Sequence, residues 1–241
     1  MLVLKTLWRH LTVNLEDVSN RSLARMGWLL PLLTVSCSMS VHLLSGNARD
    51  VPFFISESDY PGIERWIFTT GLAMSGVALG ILSHRFKTMY ATDESVKVRI
   101  SHLSGMTTSV SLVVVAFANM YDYLILHCIA AILVFCGGLI WGGSTHSLFD
   151  QTKRGARKLR RFGLGLALIG FVGMNAAITA YVAFNRSELT QNGSLQIRLD
   201  EIQPVVDFAA PGEYILFLGL IITMASIDWD LKENDSFHPS D

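Results

Sequence analysis

Six long apolar runs constrain this chain more than any other feature of its sequence. A helix needs roughly 20 apolar residues to cross the hydrocarbon core of a bilayer. Six segments meet that requirement: about 28–45, 64–84, 103–121, 123–147, 162–184 and 210–228. None of them alternates apolar and polar residues as barrel strands do. The sequence therefore predicts an all-α polytopic membrane protein with six transmembrane helices, because helices satisfy their own backbone hydrogen bonds in lipid.

The composition favours a single membrane domain. Only 16% of the 241 residues are charged, whereas soluble domains have about 25%, and the charges cluster between the apolar runs. The runs and their short connections occupy residues 28–230, so we expect no appended soluble domain. Residues 1–27 form an N-terminal segment whose leucines recur at helical spacing and predict an interfacial helix, and residues 231–241 form a tail.

The basic residues predict the orientation. With six spans the two termini share a side, and that side holds 15 of the 19 lysines and arginines, all except Arg49, Arg65, Arg186 and Arg198. Cytoplasmic loops carry such an excess, so we expect both termini to be cytoplasmic. The fifth connection is then outside or lumenal, and its sequons make Asn192 and Asn185 glycosylation candidates.

The first outer connection has an unusual composition. Residues 51–68 read VPFFISESDYPGIERWIF, with prolines that stiffen and turn a short loop. Two ionisable residues inside the spans lie at the same level, His127 in span four and Glu213 in span six. Such residues are expensive in a membrane and mark functional sites by default. We expect the loop to fold as a lid over the outer mouth of the bundle.

These residues predict a polar pocket at the outer level, which comprises Pro52, Ile55, Ser56, Glu57, His127 and Glu213. In this pocket His127 and Glu213 would pair with each other or bind a lipid head group. Two alternatives stay open. The two side chains form only a structural hydrogen-bonded pair, and Ser56 and Glu57 only cap the second span.

A run of basic residues between spans four and five is the strongest charge feature of the chain. It contains Lys153, Arg154, Arg157, Lys158, Arg160 and Arg161. Each such residue near an anionic leaflet contributes about 1 kcal/mol of attraction. The run is either a topology determinant alone or a contact for anionic lipid or a cytosolic partner.

Several function classes have no support in the sequence. The net charge of −1 gives no sign of a nucleic-acid partner, and we expect none. Cys37, Cys128 and Cys136 fall inside apolar runs as small hydrophobes, and no Cys/His spacing matches a metal site. No phosphate-binding loop, dinucleotide fingerprint or nucleophile elbow is present. We expect no metal and no cofactor.

Three short stretches carry a resemblance to a known family. They are the segment from Pro52 to Ser56, the Leu126-His127 step that opens span four, and Pro211-Gly212-Glu213-Tyr214, which opens span six. Together with six spans, they resemble the Frag/DRAM/Sfk family. This family includes the damage-regulated autophagy modulators, the post-GPI-attachment factors and the N-terminal domain of the cell-wall protein CWH. The chain departs from the autophagy branch at Cys128 and at Glu57-Ser58-Asp59.

The resemblance implies a non-enzymatic membrane factor. Family members act in membrane lipid organisation, in GPI- or phosphoinositide-linked regulation, or in autophagy and trafficking. It implies membrane lipids and a membrane or cytosolic protein as partners, at the plasma membrane or in the Golgi, ER or lysosome. Two other functions stay open: a lipid-remodelling transferase or hydrolase with His127 as base, and a small transporter or channel subunit with Asn175 and His127 along its path.

Overall fold

The computed structural model describes residues 18–48, 50–90, 95–149, 154–184 and 202–234. Within these ranges the regular structure is helical, apart from no strand at all. The helices are α1 (Asn20–Leu44), α2 (Ile63–Met89), α3 (Val96–Phe117), α4 (Leu124–Leu148), α5 (Arg154–Phe184) and α6 (Gln203–Asn234), with a 3-10 turn at Ile55–Ser58. Each of the six is long and apolar enough to span a membrane. The predicted all-α, six-helix architecture is confirmed.

Several helices extend past the apolar runs that predicted them. α1 begins eight residues before the run at 28, and the Ser19 hydroxyl caps it by accepting the Ser22 N–H (3.1 Å). The reason is that Leu23 and Ala24 in these first turns are buried against other helices. α5 likewise begins at Arg154, so the basic run from that residue onward is helical and is not a loop.

α3 ends earlier than the predicted boundary at residue 121. The carboxamide oxygen of Asn119 accepts the backbone N–H groups of Tyr121 (3.0 Å) and Asp122 (2.8 Å). An Asn side chain that binds the backbone two residues on stabilises a turn in place of a helix. The chain therefore reverses at 118–123 and enters α4 at Leu124.

The helices form a ring. α1 packs on α2, α2 on α3 and α3 on α4, while α6 packs on both α1 and α5. α4 closes the ring through sparser contacts with α5 and α6. Both the start of α1 and the end of α6 lie at one end, where Arg21 and Arg25 contact Asp228 (3.4 Å each). We call this end the basic end and the opposite end, which carries residues 51–62, the loop end.

The α5–α6 pair is the closest helix contact. A Cβ built on Gly170 would lie 2.3 Å from the Leu216 backbone nitrogen, and one on Gly219 would lie 2.3 Å from that of Ala167. Small residues allow such backbone approach between membrane helices. Gly165 and Gly173 of α5 have nothing within 4 Å of a built Cβ and face away from this contact.

Candidate functional site

Residues 51–62 form a folded plug at the loop end, and the bundle holds this plug by its main chain. Ser38 of α1 donates its hydroxyl to the carbonyls of Ser58 (2.7 Å) and Glu64 (3.1 Å). The Tyr121 hydroxyl donates to the Glu57 carbonyl (2.8 Å), and the Tyr214 hydroxyl donates to the Phe53 carbonyl. Buried main-chain carbonyls need such partners, so three elements fix the path of the plug.

Two carboxylates hold the 3-10 turn inside the plug. Glu57 accepts the Phe54 N–H (2.8 Å), which caps the turn, and Glu213 of α6 accepts the Ile55 N–H (2.7 Å). The exposed fractions of the two side chains are 1% and 8%. Because successive amides bind them, the carboxylates of Glu57 and Glu213 lie close together beneath the turn.

A clip of three charged residues joins the plug to the connection between α3 and α4. Arg65 lies 3.6 Å from Asp59 and 3.8 Å from Asp122. Asp59 is 1% exposed, and neither of its carboxylate oxygens accepts a hydrogen bond within the described part of the chain. Burial raises the pKa of the Asp59 carboxyl to about 7; Arg65 lowers this pKa by attraction, and Asp122 raises it by repulsion.

Beneath the plug lies a cavity of about 130 Å³ inside the ring. Residues of α1, α2, α3, α4 and α6 line it, and its wall is almost wholly apolar, with side chains such as Val35, Leu72, Leu112, Val134, Phe217 and Leu220. Thr108 and Thr223 also line it, but their hydroxyls donate to carbonyls of their own helices. From Glu213 to Met224 the α6 wall covers eleven residues, or about 16 Å at 1.5 Å per residue.

The loop end of the cavity is polar, and Ser56, His127 and Glu213 line it. The His127 Nδ1 lies 2.7 Å from the Ala118 carbonyl oxygen. A carbonyl oxygen only accepts, so Nδ1 carries the hydrogen, and in the neutral ring Nε2 is an acceptor. His127 is 5% exposed and Glu213 is 8% exposed. The cavity is thus an apolar space with hydrogen-bonding groups at one end.

The structure brings together four of the six residues of the predicted pocket. Ile55, Ser56, His127 and Glu213 line one cavity. Pro52 does not line it; its carbonyl accepts a hydrogen bond from the Gln203 side chain (3.1 Å). Glu57 does not line it either, and its carboxylate caps the turn. No hydrogen bond or ion pair joins His127 to Glu213 in the part of the chain that the structure describes.

Sequence reasoning missed most residues that anchor the plug. Ser38, Tyr121 and Gln203 each bind a plug carbonyl, yet none carries a sequence signal that separates it from other polar residues. Tyr214 was inside a quoted motif, but its contact with Phe53 was not foreseen. Trp141, which also lines the cavity, was missed because an aromatic residue in a span has the same pattern whether it faces lipid or the interior.

The basic residues do not form one surface. Arg154, Arg157, Lys158 and Arg161 are exposed, whereas Arg160 is fully buried and corrects the prediction that this residue contacts lipid. Its guanidinium donates to Asp230 and to the Ser226 hydroxyl (3.0 Å) and lies 5.1 Å from the centre of the Phe149 ring. The helical period turns Arg160 toward α6 and its neighbours away. Lys153 lies outside the described residues.

Other predicted features have the following places. Asn175 of α5 donates to the Phe171 carbonyl (2.8 Å) and does not line the cavity with His127. In the described ranges no group of three His, Cys, Asp or Glu side chains is placed to hold a metal ion. The glycosylation candidates Asn185 and Asn192 lie outside the described residues.

Comparisons with models of protein families, with curated proteins and with solved structures found no match for the chain. The fold and the site therefore define the class only as a six-helix, multi-pass integral membrane protein with an internal cavity. Its function is argued from this cavity.

Proposed function

We propose that the protein is a non-enzymatic lipid-binding factor of the membrane, in which the cavity receives the apolar part of a lipid and its polar end contacts the head region. The resemblance to the Frag/DRAM/Sfk family directs this activity to membrane lipid organisation, to GPI- or phosphoinositide-linked regulation, or to autophagy and trafficking. The location that fits is the plasma membrane or an endomembrane of the Golgi, ER or lysosome.

The observation that carries the proposal is the cavity itself. Left empty, 130 Å³ would cost about 3 kcal/mol at roughly 24 cal/mol per Å³ of cavity. Water gains little there, because it needs two to four polar partners and most of the wall offers none. A lipid tail restores the lost dispersion contacts. Its head would remain near Ser56, His127 and Glu213.

Filling the cavity tests the proposal. Ala131 of α4 lines the cavity, so Ala131→Phe places a ring in the space of the tail. The matched control is Ala176→Phe, at an exposed position of α5 that does not line it. In nanodiscs with a phospholipid that carries a photoreactive group in its tail, Ala131→Phe should reduce labelling of cavity residues at least fivefold, and the control should not. Equal labelling of both variants would refute the proposal.

One observation favours the enzymatic alternative, a lipid-remodelling transferase or hydrolase. The bond from Nδ1 to the Ala118 carbonyl leaves Nε2 of His127 as the proton acceptor, and Ser56 lines the same cavity. A base needs such an orienting partner. No hydrogen bond links Ser56 to His127 within the described ranges, so the pair is not assembled for nucleophilic attack. Turnover of a labelled GPI precursor or phospholipid by the purified protein would establish the enzyme and remove the non-enzymatic proposal.

The orientation belongs to the proposal as well. The excess of lysine and arginine at the basic end favours a cytoplasmic position for that end, where the exposed Arg154, Arg157, Lys158 and Arg161 would face anionic lipid or a cytosolic protein. The loop end would then face the lumen or the exterior. In a eukaryotic host we expect glycosylation at Asn192 and none at Asn20. The opposite pattern would reverse the orientation.

A further inference from the structure

The polar end of the cavity has a chemistry that selects among lipids. We infer that the cavity takes a single-chain amphiphile whose head group donates hydrogen bonds, a hydroxyl or an ammonium group, and that it rejects carboxylate and phosphate head groups. This inference rests on the proposed function, because it specifies the head group of the lipid whose tail occupies the cavity.

Glu213 supplies the first acceptor. Its Oε2 accepts the Ile55 N–H, and Oε1 has no partner among the described residues. The side chain is 8% exposed and lines the cavity. Buried carboxylates are normally paired or fully hydrogen-bonded, so Oε1 is an acceptor whose donor the described chain does not provide. A head group at this end of the cavity would supply that donor.

His127 supplies the second acceptor. Its Nδ1–H is committed to the Ala118 carbonyl, and its ring is 5% exposed at the cavity wall. An imidazolium buried without a paired acid would be costly, and no ion pair to His127 exists in the described part of the chain. The neutral ring presents Nε2 as an acceptor. The third group, the Ser56 hydroxyl, donates or accepts according to its partner.

Cations are missing from this end of the cavity. No lysine or arginine is among the residues that line it. Arg65, the arginine of the same end of the bundle, contacts Asp59 and Asp122 and is outside the lining. Glu57, on the amide next to the one that binds Glu213, adds a second acidic group. An anionic head group would meet two acceptors and this negative potential with no cation to offset them.

The shape of the cavity restricts the apolar part. About 130 Å³ is distributed along a wall of eleven residues of α6, which corresponds to about 16 Å. One leaflet of the hydrocarbon core is about 15 Å deep, half of the roughly 30 Å bilayer core. A long and narrow space of this length matches one unbranched chain and is too thin for a ring system or for two chains side by side.

A competition experiment with head groups on a constant tail tests the inference. The full-length protein is labelled in nanodiscs by a photoreactive hexadecyl probe, and hexadecylamine, 1-hexadecanol, palmitic acid and hexadecyl phosphate are the competitors. We expect the amine and the alcohol to compete at least tenfold more strongly than the acid and the phosphate. A further preference for the amine over the alcohol would identify ammonium as the better head group.

The variant Glu213→Gln removes the carboxylate but keeps an oxygen for the Ile55 N–H. We expect it to lower the affinity for the amine relative to the alcohol at least fivefold while tail labelling persists. Asp207→Asn, which changes the same charge at an exposed position of α6, should leave the order of competitors unchanged.

The outcomes separate this inference from the proposed function. If all four competitors are equal, or the anions are stronger, and Ala131→Phe still abolishes labelling, the head-group inference is wrong and the lipid-binding proposal stands. If Ala131→Phe leaves labelling unchanged, the lipid-binding proposal fails and the inference fails with it. An unchanged amine preference in Glu213→Gln also overturns the inference.

Discussion

Glycines of α5 that are similar in sequence should respond oppositely to substitution. Gly170→Ala places a methyl group 2.3 Å from the Leu216 nitrogen and 2.6 Å from the Gly212 oxygen. Both are backbone atoms, which cannot rotate away as a side chain could, so α5 and α6 must separate. Gly165→Ala places the same methyl group in open space and serves as the matched control on the same helix.

The expected difference follows from two terms. Ala is favoured over Gly in a helix by about 0.8–1.0 kcal/mol, and this term acts at both positions or at neither. Overpacking costs about 1–3 kcal/mol and acts only at Gly170. Gly165→Ala should therefore be neutral or stabilising by about 1 kcal/mol, and Gly170→Ala should be less stable than that control by about 1–3 kcal/mol.

Thermal unfolding in mild detergent, followed by the loss of the monodisperse peak in size-exclusion chromatography, measures this difference. A change of 1 kcal/mol corresponds to a shift of about 2–4 °C for a chain of this size, so the two variants should differ by at least 2 °C. Gly219→Ala and Gly173→Ala provide a second pair of the same design. Equal melting temperatures for Gly170→Ala and Gly165→Ala would refute the argument from close backbone contact.

Three further predictions concern charged and hydrogen-bonded groups. Arg160→Met should destabilise the protein by about 3–5 kcal/mol because it leaves Asp230 buried without its cation, and Arg160→Met combined with Asp230→Leu should restore most of this loss; denaturant unfolding of both variants decides. The folded protein keeps a proton on Asp59 up to about pH 7, whereas an unfolded Asp loses it near pH 3.8, so stability should fall as pH rises through this window. Asp59→Asn should flatten this part of the pH profile of the melting temperature, and an unchanged slope would contradict the assignment. Tyr214→Phe removes the hydroxyl that binds the Phe53 carbonyl and should weaken the plug by about 0.5–1.5 kcal/mol, seen as faster hydrogen exchange in residues 51–62 with no change in exchange along α3.

The fold could be predicted because hydropathy and backbone satisfaction in lipid leave few alternatives. The ends of the helices could not, since an apolar run measures only the part of a helix that lies in lipid. The first turns of α5 illustrate this, because Arg154 and Arg157 are helical yet polar. The asymmetry of α5 was also outside the reach of the sequence. Gly163 and Gly170 pack on α6, whereas Gly165 and Gly173 do not, and only the rotation of the helix distinguishes them.

The candidate site was predictable in its parts but not in its arrangement. Ionisable residues at the same depth of the membrane indicated that His127 and Glu213 belong to one level, and the structure places both on one cavity. The sequence could not separate Ser56, which lines the cavity, from Glu57, which caps the turn one residue later. Hydrogen bonds to main-chain atoms decide between them, and such bonds leave no residue pattern.

The plug is held mainly through its backbone, and this has a consequence for how the protein can change. Ser38, Tyr121, Gln203, Glu213 and Tyr214 all bind amides or carbonyls of the plug. Substitution of most plug side chains therefore leaves the anchoring bonds in place. The same scaffold can present new chemistry at the membrane surface through exposed positions such as Val51 and Pro61, so residues 51–62 offer an insertion point at which recognition can diverge while the bundle is preserved.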